Sequence, residues 1–150
     1  MEKTDLLVQI YRILPELIGE AVSLPIVELD DHDDQLEGAG KPPITPNPDM
    51  SPKQWSELYY LLKGKLGNED LYWQVFDPTR DTEAIHGSLA GDIEEIYRDL
   101  KEGLVLLEQP HLAPPEDIIW EWRFGFFSHW GKHAIDALRT IHFLLEGKLS

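Results

Sequence analysis

Leu6, Leu7, Ile10, Ile13, Leu14, Leu17, Ile18, Ala21 and Val22 recur at steps of three and four residues, the spacing that returns side chains to one face of an α-helix. This predicts a first helix behind Thr4 or Asp5 as N-cap, because a short polar side chain there accepts from an otherwise orphaned backbone N–H. Pro15 falls inside that helix and has no N–H for the carbonyl of Tyr11. A kink near residues 11–14, or a break into two shorter helices, is therefore expected.

Between Leu24 and Met50 the periodicity stops. Five prolines and the acidic run Asp30-Asp31-His32-Asp33-Asp34 occupy this stretch, which reads as a long, solvated connector. It lacks the glycine turn and terminal Glu of a calcium-binding EF-hand loop. The order then returns with Ser51-Pro52-Lys53-Gln54, which places an N-cap Ser, Pro at the first helical position and Gln at the capping-box position. Trp55, Leu58, Tyr59, Leu62 and Leu66 follow on one face, predicting a second helix over Pro52 to Leu66.

The aromatic-rich link from Leu71 to Pro78 fits no period and is expected to be irregular. Ile85, Leu89, Ile93, Ile96, Tyr97, Leu100, Leu104 and Leu107 predict a third helix from about Thr82 to Leu107, with Gly87 or Gly91 as the places where it could be interrupted. Pro114-Pro115-Glu116-Asp117 opens a fourth, whose apolar positions run through Trp130, Ala134, Leu138, Ile141 and Leu145. Four amphipathic helices with no alternating strand pattern imply an all-α helical bundle, with residues 1–150 forming one domain and 24–50 its long acidic, Pro-rich loop.

Charge changes this picture more than bulk composition does. Thirteen Lys and Arg face 28 Asp and Glu, a formal net charge of −15, which repels nucleic-acid phosphates and anionic membranes and either attracts a basic protein partner or serves only to keep the chain in solution. Asp30, Asp31, Asp33 and Asp34 are the expected contact for such a partner. The chain has no cysteine, which excludes disulfides, thiol nucleophiles and Cys-based zinc sites. Neither a secretory signal nor a membrane-spanning apolar run is recognisable, so a cytoplasmic location is expected.

The stretch Ser88-Leu89-Ala90-Gly91-Asp92-Ile93-Glu94-Glu95-Ile96-Tyr97-Arg98-Asp99-Leu100, then Trp120-Glu121-Trp122-Arg123-Phe124 and His129-Trp130-Gly131-Lys132-His133-Ala134, resembles a bacterial family of uncharacterised proteins known only as a domain of unknown function. The likeness is most specific in the C-terminal half. It implies a small bacterial cytosolic protein and carries over no activity, cofactor or catalytic residue.

The residues themselves offer one chemical cluster. At about 100° per residue, Asp92, Glu95, Asp99 and Glu102 form an acidic stripe on the third helix. On the fourth, His129 and His133 are four apart and share a side, continued by Asp136 and Thr140. Helices three and four packed antiparallel would bring imidazoles and carboxylates together, a donor set suited to Zn²⁺, Mn²⁺ or Fe²⁺. Neither the Glu-x-x-His pattern of di-iron bundles nor His-Glu-x-x-His is present, and structural ion pairing between the two flanks is the other reading of the same residues. Arg123 projects to the centre of the fourth helix's apolar face, where a guanidinium needs a carboxylate. Asp92 or Asp99 is the expected partner, and an anion-binding pocket floored by Arg123 is the functional alternative.

Trp120, Trp122, Phe124, Phe126, Phe127 and Trp130 crowd eleven residues, as in a helix central to its bundle, with any exposed remainder available to a homodimer. No nucleophile elbow or phosphate-binding glycine loop appears. Two functions follow: a non-enzymatic helical interaction module with an acidic surface, or a metal-dependent or small-molecule-binding enzyme using Asp92, Glu95, Asp99, Arg123, His129 and His133.

Overall fold

The computed structural model describes residues 1–28 and 50–149. The acidic run at Asp30, Asp31, Asp33 and Asp34 lies outside the described residues. The element order is α1 (Lys3–Ser23), α2 (Pro52–Leu66), β1 (Leu71–Val75), β2 (Ala84–Ser88), α3 (Leu89–Leu107), α4 (Pro115–Gly125) and α5 (Gly131–Leu149). No described helix is long and apolar enough to cross a membrane.

The protein is a mainly helical bundle in which α3 packs against α2, α4 and α5, and α1 packs along α5. Leu7, Leu14 and Ala21 of α1, Leu62 and Leu66 of α2, Ile96 of α3, and Ala134, Ala137, Ile141 and Leu145 of α5 form one buried core. The small residues at 134 and 137 let neighbouring helices approach α5 closely. Ser51 closes the expected capping box, its Oγ accepting from the Gln54 N–H while the Gln54 side chain accepts from the Ser51 N–H. At the first helix the cap lies earlier than Thr4, at Glu2, and α1 runs unbroken through Pro15. The break into two helices does not occur, because Leu7, Leu14 and Ala21, seven residues apart, hold both halves in the same core.

The all-α expectation needs correction at one place. Leu71–Val75 and Ala84–Ser88 form an antiparallel hairpin with Tyr72 opposite Gly87 and Trp73 opposite His86, so the link is a strand and the third helix begins at Leu89 rather than Thr82. The reason lies in what caps α3. The Ser88 hydroxyl accepts from the Gly91 N–H at 3.1 Å, and fully buried Asp70 accepts from the Ala90 N–H at 2.8 Å and from the Ser88 hydroxyl at 3.0 Å. A carboxylate on the exposed donors of a helix N-terminus is favoured by hydrogen bonding and by the helix dipole, and this fixes the start of α3 against the helical spacing of Ile85.

The fourth helix holds a second departure. Between α4 and α5, Phe126–Trp130 form one π-helical turn, closed by the Gly131 N–H donating to the Phe126 carbonyl. A π-turn accommodates one extra residue and so rotates everything on one side of it by about 100° relative to the other. The Trp130 indole N–H donates to the Trp122 carbonyl at 3.2 Å, tying the bulge to the preceding turn. Phe126 and Trp130 enter the core, whereas Phe124 and Phe127 are exposed.

Candidate metal centre

Asp92, Glu95 and Asp99 sit at successive turns of α3 on the flank that faces the π-turn and the start of α5. From the π-turn, His129 presents Nδ1 to Asp99 Oδ2 at 2.7 Å and Nε2 to Glu95 Oε2 at 3.5 Å. One turn later, His133 presents Nδ1 to Asp92 Oδ1 at 2.7 Å. The two imidazoles lie edge to face, with ring centres 5.1 Å apart. Five of the six candidate residues therefore meet where the sequence predicts they would.

Within this group, one donor atom each from Glu95, His129 and His133 lies within 4.8 Å of the others. Each imidazole has a carboxylate on Nδ1, which holds the proton there and leaves Nε2 as the basic nitrogen. That is the outer-sphere arrangement by which proteins orient metal-binding histidines. The cluster grades from wet to dry: His129 is about half exposed, while Asp92 is only 5% exposed.

Asp92 is held twice, because its Oδ2 also accepts from the Tyr72 hydroxyl at 2.5 Å. Burial and the Asp92 carboxylate push the Tyr72 phenol well above its usual range, so it is a fixed donor. The hydrogen bond to Asp92 raises the His133 imidazole above its ordinary value, against the opposing effect of burial. Burial raises the carboxyl of Asp136, which also feels the charge of Asp92. A site so rich in carboxylates favours cations, whether protons on imidazole or a divalent ion.

Arg123 requires a correction. It pairs with neither Asp92 nor Asp99, whose oxygens are engaged by His133, Tyr72 and His129. Its guanidinium carbon lies 5.1 Å from the Phe127 ring centre, and its Nε is buried without an acceptor among the described residues. The side chain instead lines a cavity of about 400 Å³ with Ile26, Val27, Trp120, Phe124 and Phe127. The uniform projection failed because the π-turn rotates α4 out of phase with α5. Glu102, at the far end of the acidic stripe, is not among the groups that meet the histidines, and the Thr140 hydroxyl turns back to the Asp136 carbonyl.

Tyr72 is the residue that helical periodicity missed. Its chemical signal in the sequence is an aromatic with a polar tip inside a short apolar run, a residue type that seeks a hydrogen-bond acceptor when half buried.

A family model matches residues 1–146. The chain belongs to the DUF5063 family. That family is described as a domain of unknown function, in keeping with the resemblance of the α3 and α4–α5 motifs. No curated protein matches the chain. The fold is similar to the crystal structure of protein BF1032 from Bacteroides fragilis, with a TM-score of 0.72 at 19% identity, covering 96% of this chain and 78% of that one. For this DUF5063 chain the similarity establishes the architecture, and the chemistry rests on its own residues.

Proposed function

We propose that the protein is a divalent-metal-dependent enzyme whose ion is held by Glu95, His129 and His133. The observation that carries this reading is the pairing of both histidines through Nδ1 with carboxylates, His129 with Asp99 and His133 with Asp92, each at 2.7 Å. Two such oriented imidazoles and a third oxygen donor within 4.8 Å match the two-nitrogen, one-oxygen set of catalytic zinc sites, which keep a position open for water. The exposed side of His129 gives that position access to solvent. An ion there would act as a Lewis acid, lowering the pKa of bound water to generate a nucleophile for hydrolysis.

The rival reading, an acidic module that docks a basic protein, draws its contact residues from Asp30, Asp31, Asp33 and Asp34, outside the described residues. No observation in the bundle favours it over the metal reading. Elemental analysis of tag-free protein, purified without chelator and after reloading with Zn²⁺, tests the proposal. About one ion per chain is expected in the wild type, with loss in His129→Ala, His133→Ala and Glu95→Gln. Wild-type protein that stays metal-free after reloading overturns it. If metal is retained, loss of hydrolysis of activated esters and phosphoesters on removing it tests the catalytic part.

A further inference from the structure

We infer that Tyr72, admitted by Gly87, is a positioning residue that clamps the dry side of the metal centre from the hairpin; the inference rests on the metal reading above. The hydroxyl of Tyr72 bonds to Asp92 rather than to a candidate ligand of the ion. Its hydroxyl donates to Asp92 Oδ2, while Asp92 Oδ1 receives the Nδ1–H of His133. The two oxygens of one carboxylate thus have separate donors, which fixes the rotation of the carboxylate and with it the plane of the His133 imidazole.

The hairpin makes this reach possible by leaving out a side chain. Tyr72 pairs directly with Gly87. A Cβ built on Gly87 would lie 2.4 Å from Tyr72 Cζ and 2.7 Å from its hydroxyl oxygen. The glycine has no positive φ, so its backbone suits any residue and what it supplies is room for the phenol to cross. β2 then runs into α3 without a loop, Ser88 ending the strand and capping the helix that carries Asp92. Hairpin, carboxylate and imidazole are therefore mechanically continuous. Because coupling between sites is reciprocal, ion binding should also order the hairpin.

Zn²⁺ affinity of the full chain, read by competition with a chromophoric chelator, provides one test. Direct outer-sphere partners such as Asp92 typically contribute about 10–100-fold in metal affinity, and Tyr72 acts one bond further out, so Tyr72→Phe and Gly87→Ala should each weaken binding by up to about 10-fold. The double variant should bind no more weakly than Tyr72→Phe, since Gly87 acts through the phenol. Zn²⁺ should also slow amide exchange over residues 71–88 in wild type more than in Tyr72→Phe.

A second readout is one that a merely structural role would leave unchanged. The Nδ1–H proton of His133 in metal-free protein, with the imidazole neutral, should give a downfield, slowly exchanging signal in wild type that shifts and exchanges faster in Tyr72→Phe, where the carboxylate is free to turn. An unchanged signal in Tyr72→Phe overturns the inference. Failure of the metal reading alone looks different: wild-type protein would take up no Zn²⁺ while the His133 Nδ1–H signal still depended on Tyr72.

Discussion

Replacing Gly131 by alanine should destabilise the protein, although it puts a better helix former into a helix. A Cβ at Gly131 would lie 2.1 Å from the Phe126 carbonyl oxygen and 2.7 Å from the Phe126 ring, where ordinary contact is 3.4–4 Å. The oxygen is backbone, and it is the acceptor that closes the π-turn, so it cannot swing aside as a flexible side chain would. Overpacking of this kind costs about 1–3 kcal/mol, and a clash with both backbone and a core ring belongs at the upper end. Against it stands about 1 kcal/mol gained by Ala over Gly in a helix. The net loss is about 2 kcal/mol, a fall in Tm of about 4–8 °C for a chain of this size. Gly64 in α2 is the control, since nothing lies within 4 Å of its added Cβ. Gly64→Ala should raise Tm by about 2–4 °C. Thermal unfolding followed by circular dichroism reads both. If Gly131→Ala proves as stabilising as Gly64→Ala, the π-turn does not depend on this glycine. Should the chain instead relax to a regular helix, His129 would rotate off Asp99 and Zn²⁺ binding would fall as well.

Asp70→Ala removes a buried carboxylate that satisfies the Ala90 N–H and the Ser88 hydroxyl at the start of α3. Charge-assisted bonds of this type contribute about 1.5–3 kcal/mol, so urea unfolding should show a loss of about 2–3 kcal/mol, and a loss under about 0.5 kcal/mol would refute the double cap. Acid should weaken the tie between the end of α5 and the turn after α2. Burial opposes ionisation of Glu69, but Lys148 at 2.9 Å and Lys3 at 3.4 Å outweigh it and hold its carboxyl below the usual 4.5. A depressed carboxyl contributes stability that is present above the unfolded value and lost as pH falls through the folded one. The stability gap between wild type and Glu69→Gln should therefore be constant near neutral pH and close below about pH 4.5; a gap unchanged in acid would rule this linkage out.

The core helices were legible in the sequence because their buried positions keep a regular period. Leu7, Leu14 and Ala21, or Ser51 with Gln54, can be read without coordinates. The meeting of His129 and His133 with Asp92, Glu95 and Asp99 was legible only as a conditional, since an acidic stripe on α3 and a histidine flank on the fourth helix converge if the two pack antiparallel and in register, and a charged stripe otherwise faces solvent. The hairpin was hidden because Leu71–Val75 is too short an apolar run to distinguish strand from helix, and because Ile85 and Leu89 are four apart, as in a helix. What decides it is Asp70 capping α3, a contact made 20 residues along the chain that no local pattern contains.

The π-turn did leave a trace. Ile118, Trp122, Phe126, Trp130 and Ala134 run through four successive steps of four residues along the fourth helix. On a regular helix each such step drifts by about 40°, so the stripe would leave the core within three turns. Ile118, Phe126, Trp130 and Ala134 are nevertheless all buried, the last three in one core, which fits a helix that unwinds once on the way. Projecting Arg123 through that point at constant pitch sent it to Asp92 and Asp99, whereas His129, inside the turn, is the residue that reaches Asp99. The two irregular elements are the ones that supply Tyr72 and His129 to the candidate centre. Departures from local rules tend to mark functional or strained sites. In this bundle the π-turn lets Phe126, Trp130 and Ala134 share one core while His129, between them, faces Asp99.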